Sequence, residues 1–142
     1  MKGNAAGALG PYEKAVAADP ANTTYRTYLG AALTETKQLD RSVAELTKVV
    51  ETPSYNHAEA WIYLGQAQIA AKRFKEALEA LNKAAEKAPN NAQVEAYLGW
   101  AYFGQKDAPN FKLHAGKAKA LGYKEATLLQ YLTRIEGGEA IK

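Results

Sequence analysis

The tripeptide Tyr-Leu-Gly recurs along this chain at a nearly constant spacing. It occupies residues 28–30, 63–65 and 97–99, so that successive copies are 35 and 34 residues apart. A related tripeptide, Tyr-Leu-Thr, follows at residues 131–133, another 34 residues later. A coincidence of three residue types at one period is very improbable, and the register therefore predicts a repeat protein.

The segment at residues 58–91 indicates which kind of repeat this is. Its large and small apolar residues have the spacing of two packed helices followed by a proline; they are Trp61, Leu64, Gly65, Ala77, Leu81, Ala84 and Pro89. This spacing resembles the tetratricopeptide repeat, a helix–turn–helix unit of about 34 residues. The segment departs from that pattern at Gln68, which replaces a tyrosine, and at Leu81, which replaces a phenylalanine.

The resemblance implies an all-α fold, namely a right-handed solenoid of antiparallel helix pairs. We expect residues 1–142 to form one tetratricopeptide domain. It divides into a half repeat at 1–22, repeats at 23–57, 58–91 and 92–123, a capping helix at 124–136 and a frayed tail at 137–142. The lone first helix suggests a segment of a longer array, or a face that another molecule covers.

Two of these segments depart from a regular repeat. In the half repeat, Gly7, Gly10 and Pro11 weaken the start of the helix, because proline removes an amide donor and crowds the preceding turn. A firm helix is therefore expected only over residues 11–19. In the fourth segment, Phe111 and Ala115 exchange the usual positions of the small and the large residue, which conserves volume.

Composition and motifs argue against catalysis. The chain has no cysteine, and His57 and His114 lack partners at metal-ligand spacing. Gly116-Lys117 has no phosphate-binding loop around it. We therefore expect a protein that is not an enzyme and that uses no cofactor and no metal.

Charge and hydropathy exclude two further classes of partner. The net charge of +3 is too small to predict nucleic-acid binding. The lysines around the last helix pair could attract an acidic partner or an anionic surface, but they are interpreted as a solvated outer face. No run of about 18 apolar residues is present, so no direct membrane insertion is expected. Without a signal peptide the expected location is the cytoplasm, although a cysteine-free chain suits a periplasm equally.

The resemblance also implies a concave groove, lined by the first helix of each repeat, that binds a protein or peptide. Projecting those helices places Ile62, Ile69, Trp100 and Phe103 on the groove face, where they would form an exposed apolar patch. The full set of candidate partner-binding residues is Ile62, Tyr63, Gln66, Ile69, Tyr97, Trp100, Phe103, Tyr131 and Arg134.

Four tyrosines share one repeat position beside this groove, namely Tyr28, Tyr63, Tyr97 and Tyr131. They could form a ladder of rings with phenol groups available for hydrogen bonds, or they could simply wedge between neighbouring helices. Some tetratricopeptide domains hold a chaperone's C-terminal carboxylate with lysine, arginine and asparagine side chains. The corresponding positions here carry no cation, so that role is disfavoured.

The leading hypothesis is a protein-interaction scaffold that binds a peptide or amphipathic segment in the groove. One alternative is a structural building block that self-associates through the helix at residues 11–19 of the half repeat. Another is a repeat segment of a larger multidomain protein.

Overall fold

A computed structural model describes residues 5–142, which contain eight α-helices and no strand. The helices are α1 (Ala5–Ala18), α2 (Thr23–Glu35), α3 (Leu39–Val50), α4 (Glu59–Ala70), α5 (Phe74–Lys87), α6 (Ala92–Gly104), α7 (Ala108–Ala120) and α8 (Ala126–Glu136). The prediction of an all-α fold is confirmed. None of these helices combines the length and the apolarity that crossing a bilayer requires.

Each helix packs against the next one along the chain, and α2, α4 and α6 also contact one another in sequence. This arrangement produces a row of first helices (α2, α4, α6) beside a row of second helices (α3, α5, α7). Asparagines define the start of two first helices: Asn22 accepts a hydrogen bond from the backbone N–H of Tyr25, and Asn91 accepts one from Val94.

The glycine of the recurring tripeptide lets the two helices of a unit approach closely. A Cβ atom added to Gly30 would lie 2.4 Å from Cγ of Leu46, and one added to Gly65 would lie 2.5 Å from Cγ of Leu81. Both leucines are fully buried. The glycine of these two units is therefore explained by contact with a large side chain on the second helix.

The fourth unit has the exchange of large and small residues that its sequence predicts. Phe111 and Ala115 are both fully buried, and Ala115 lies opposite Gly99 where the other units place a leucine. A Cβ atom added to Gly99 would lie 3.4 Å from its nearest neighbour, the backbone nitrogen of Ala115. In this unit the ring of Phe111, rather than a side chain at residue 115, fills the space between α6 and α7.

The helix predicted over residues 11–19 is wrong in its extent, because α1 begins at Ala5 and continues through Pro11. None of its residues is fully buried. It is held by contacts with its neighbours: the rings of Tyr12 and Tyr28 are 5.9 Å apart, and Glu13 pairs with Arg41. These tertiary contacts offset the local cost of the proline.

The tail after α8 is also more ordered than predicted. Glu139 accepts a hydrogen bond from Nε of Arg134 at 2.9 Å, and its backbone N–H donates to the carbonyl of the same residue. Ile141 then packs against the apolar cluster between α6, α7 and α8. The expectation of a frayed tail is wrong because this apolar side chain has a surface to cover.

Candidate functional site

A cleft of about 400 Å³ lies at the N-terminal end of the groove, between α1, α2 and α4. We call it the tyrosine cleft. Small residues and aromatic rings form most of its surface; its lining consists of Ala5, Ala8, Tyr12, Tyr28, Ala31, Ala32, Glu35 and Tyr63. Helix α1 supplies one wall, so the half repeat completes this cleft.

Tyr63 lies at the centre of the groove between the equivalent tyrosines of the neighbouring units. Burial raises the pKa of its phenol above the ordinary value of 10.0, and the carboxylate of Glu59 raises it further. Tyr28, Tyr97 and Glu35 are near enough to add smaller effects in the same direction. At neutral pH the phenol is therefore protonated and can donate a hydrogen bond into the groove.

The prediction that Ile62, Ile69, Trp100 and Phe103 form an exposed apolar patch is wrong about their exposure. Ile62 is only 8% exposed and belongs to the core between α4, α5 and α6. Ile69 is half-buried against the same core, whereas Trp100 and Phe103 are half-buried against the next one. The helical projection predicts which face of its helix each of these side chains occupies. It does not predict how closely the neighbouring helices cover that face.

An aromatic cluster occupies the C-terminal end of the groove. The ring centroid of Tyr131, on α8, lies 5.8 Å from that of Trp100 and 4.9 Å from that of Phe103. Trp100 and Phe103 are 5.5 Å apart, and Phe111 contacts both from α7. Edge-to-face pairs of this kind add stability beyond their buried area, so the cluster fixes α8 against the last unit.

The predicted tyrosine ladder is replaced by separate contacts. Within residues 5–142, ring contacts join Tyr28 to Tyr12 and Tyr131 to the aromatic cluster, rather than one ladder tyrosine to the next. Burial is also the main cause that raises the pKa of Tyr97. The four tyrosines therefore border the groove, and their rings also pack against neighbouring helices.

Arg134 carries an exposed positive charge at this end. Its guanidinium lies 5.3 Å from the ring centroid of Tyr131 and pairs with Glu139 at 2.8 Å. A small cleft of about 190 Å³ lies beside this pair, and Phe103, Tyr131 and residues 139–142 are among its lining residues. Tyr131 and Arg134 are therefore in contact, and part of their surface faces residues 139–142.

A third cleft lies between α3, α4 and α5, on the side of the second helices, and sequence reasoning missed it. It has a volume of about 330 Å³, and Trp61, Gln68, Glu76 and Glu79 are among its lining residues. The signal in the sequence was Gln68, the polar residue at a position where the repeat pattern has tyrosine. We call this cleft between α3, α4 and α5 the glutamine cleft.

The described part of the chain holds no group of three or more histidine, aspartate or glutamate side chains arranged to bind a metal ion. His114 instead pairs with Glu95 at 2.7 Å and stacks on the ring of Tyr102. That histidine is thus part of the packing between α6 and α7.

Residues 58–91 match the family model of the tetratricopeptide repeat. The whole fold resembles solved structures of helix-pair repeat proteins. MamA from Desulfovibrio magneticus RS-1, residues 41 to the end, is 25% identical with a TM-score of 0.79, over 92% of this chain and 73% of that one. MamA of strain AMB-1 is 26% identical with a TM-score of 0.70, over 78% of this chain and 64% of that one.

A thermophilic TPR protein from Thermus thermophilus is 19% identical and has a TM-score of 0.80, over 96% of this chain and 76% of that one. At that identity the likeness concerns the fold alone. No curated protein matches the chain. These similarities define a helix-pair solenoid. The chain contains a tetratricopeptide repeat at residues 58–91, and the all-α helix-pair solenoid predicted from its period is confirmed.

Proposed function

We propose that this tetratricopeptide-repeat scaffold binds a segment of a partner protein along the row of first helices, with the tyrosine cleft as its anchoring point. The observation that supports this most is the cleft itself, about 400 Å³ in volume and lined by Tyr12, Tyr28 and Tyr63. Amphipathic rings of this kind bury apolar surface and still offer polar groups to a partner.

The groove continues from the cleft along α4 and α6. Tyr63, Gln66, Ile69 and Tyr97 are half-buried, and the helical projection places them on or beside the groove face. Ile62 supports this face from the core beneath it. The proposed site ends at an aromatic wall with one cation, formed by Trp100, Phe103, Tyr131 and Arg134.

The proposal is tested with peptides selected from a random phage-displayed library on the native protein. Ala31 lines the tyrosine cleft, so Ala31→Arg fills it without removing a core side chain. Ala44, an exposed residue on α3 of the same unit, provides the matched control Ala44→Arg. We expect selected peptides to lose at least about tenfold in affinity for the first variant, about 1.4 kcal/mol, and none for the second.

Circular dichroism of both variants verifies that the helices remain. Peptides that bind Ala31→Arg as well as the unmodified protein, or a library that yields no binder sensitive to this substitution, would contradict binding in the groove.

Self-association through α1 is the second candidate. No residue of α1 is fully buried, and Tyr25 and Tyr28 on the adjacent helix are 40% and 38% exposed. A second copy could cover this surface. Light scattering over a wide concentration range should then show a mass that rises with concentration and is reduced by Tyr25→Ser; a constant monomer mass would exclude it.

A further inference from the structure

The middle unit differs from both its neighbours at one position of the interface between first and second helix. In the unit before it, Arg26 on α2 forms an ion pair with Glu45 on α3. In the unit after it, Glu95 on α6 pairs with His114 on α7 at 2.7 Å. The equivalent positions in the middle unit lie 35 residues after the first pair and 34 residues before the second. They are occupied by Trp61 and Ala80.

A second difference lies two turns further along the same face of α4, at Gln68. Its equivalents at the same spacings are Leu33, which is fully buried, and Tyr102, which stacks on His114. Gln68 is only 9% exposed, and its Oε1 atom is buried without a hydrogen-bond partner. A buried acceptor of this kind lacks the donor that would offset its desolvation.

These two differences coincide in the glutamine cleft, which is rich in acceptors. Gln68 and Trp61 line it together with three carboxylates, those of Glu51, Glu76 and Glu79. None of the three forms an ion pair within residues 5–142. The one cation in the lining, Lys83, pairs with Glu86 at 3.7 Å.

We propose that the glutamine cleft binds a guanidinium group, presented by an arginine side chain of a protein partner. The group supplies a donor for the amide oxygen of Gln68 and positive charge for Glu76 and Glu79. Its planar face can lie on the indole of Trp61. A guanidinium carries five donors in one plane, which suits several acceptors better than the compact ammonium of lysine.

The chain itself contains a precedent for this occupant. In the second unit the same interface receives an arginine from within, since Arg26 donates to Oε2 of Glu45 and to the carbonyl of Pro20. The middle unit has a tryptophan in place of the arginine and an alanine in place of Glu45, and its carboxylates line the cleft from other positions. A partner's side chain would supply from outside the cation that this unit does not contain.

This site is independent of the groove proposed above. Trp61 and Gln68 share one face of α4, and the groove residues Gln66 and Ile69 lie on another. The cleft also opens between second helices rather than along the row of first helices. Either site can therefore exist without the other.

The test uses ¹⁵N-labelled protein titrated with the peptide acetyl-Gly-Arg-Gly-amide, followed at the indole N–H of Trp61. The two indole signals are assigned with a Trp100→Phe variant. The same peptide with citrulline, which is neutral and nearly isosteric with arginine, measures the contribution of charge. A lysine peptide measures the contribution of the planar group. We expect a saturable shift with arginine, at least tenfold weaker binding with citrulline and about fivefold weaker binding with lysine.

Three protein variants connect the shift to the cleft. Gln68→Tyr copies Tyr102 of the next unit, fills the cleft and should weaken binding at least tenfold. Glu76→Gln with Glu79→Gln should weaken it about fivefold. Glu136→Gln, on the exposed side of α8, is the control and should change nothing. Should Gln68→Tyr fail to fold, Gln68→Leu, which copies Leu33, replaces it.

No saturable shift at Trp61, equal binding of citrulline and arginine peptides, or unchanged binding by the Gln68 variant would each overturn the proposal. Equal binding of lysine would also overturn it, because the assignment to a guanidinium rests on the planar group. None of these results bears on peptides selected for the groove, so the two proposals fail separately.

Discussion

The close helix approach at the recurring glycine yields a paired prediction, because one unit tolerates a methyl group where another does not. A Cβ atom at residue 65 would lie 2.5 Å from Cγ and 2.7 Å from Cδ2 of Leu81, a fully buried side chain. At residue 99 the nearest atom, the nitrogen of Ala115, is 3.4 Å away, which is ordinary contact. We therefore compare Gly65→Ala with Gly99→Ala.

The expected magnitudes follow from two opposing effects. Replacing glycine by alanine inside a helix favours folding by about 0.8–1 kcal/mol. Overpacking a well-filled core costs about 1–3 kcal/mol. Both effects act on Gly65→Ala, where the clash is severe, and the free energy of unfolding should fall by about 1–2 kcal/mol. Gly99→Ala has no severe clash, so its free energy of unfolding should stay constant or rise by up to about 1 kcal/mol.

Urea unfolding followed by far-UV circular dichroism measures both changes, and a double variant identifies their cause. Adding Leu81→Ala removes the side chain that the new methyl group would strike, so Gly65→Ala should no longer destabilise in that background. Equal destabilisation by the two alanines, or a Gly65→Ala penalty that persists without Leu81, would show that side-chain contact does not explain the glycine.

Three further predictions concern the packing around the last units and the groove. Phe111→Ala should lower the free energy of unfolding by about 3–5 kcal/mol, because it empties a fully buried site; a loss below about 1 kcal/mol in urea unfolding would contradict this. His114→Ala leaves the carboxylate of Glu95 half-buried and unpaired, so we expect a loss of about 1–3 kcal/mol that Glu95→Gln partly restores in a thermal melt. The raised phenol pKa of Tyr63 and Tyr97 favours the neutral form when folded. The stability that these two phenols contribute should be complete below pH 10.0, the ordinary pKa, and should decline as the pH rises further. A melting temperature that falls evenly from neutral pH upward would refute this.

The fold could be predicted because its determinants are local and repeated. The tripeptide with Gly65 fixes where two helices cross, and the same spacing recurs in neighbouring units. The extent of α1 could not be predicted in this way. Pro11 is a strong local signal against a helix, and the contacts of Tyr12 and Glu13 that outweigh it come from other helices.

The site was predictable only as a row of positions. A helical projection places Ile62 on the groove face of α4 and Trp100 on the groove face of α6. It does not include Tyr131, which contacts Trp100 from α8. Burial depends on such distant contacts. The glutamine cleft was missed for the opposite reason: Gln68 looked like a small departure from a pattern, and its effect appears only where three helices meet.

The loose attachment of α1 makes the tyrosine cleft a conditional feature. With no fully buried residue, α1 should detach at a much lower free energy than the rest of the domain, and one wall of the cleft leaves with it. A ligand in the cleft then binds only the docked population, so its apparent affinity is the intrinsic one reduced by that fraction. By the same linkage, binding should slow amide hydrogen exchange in α1, and substitutions that fasten α1 should tighten binding without touching the ligand.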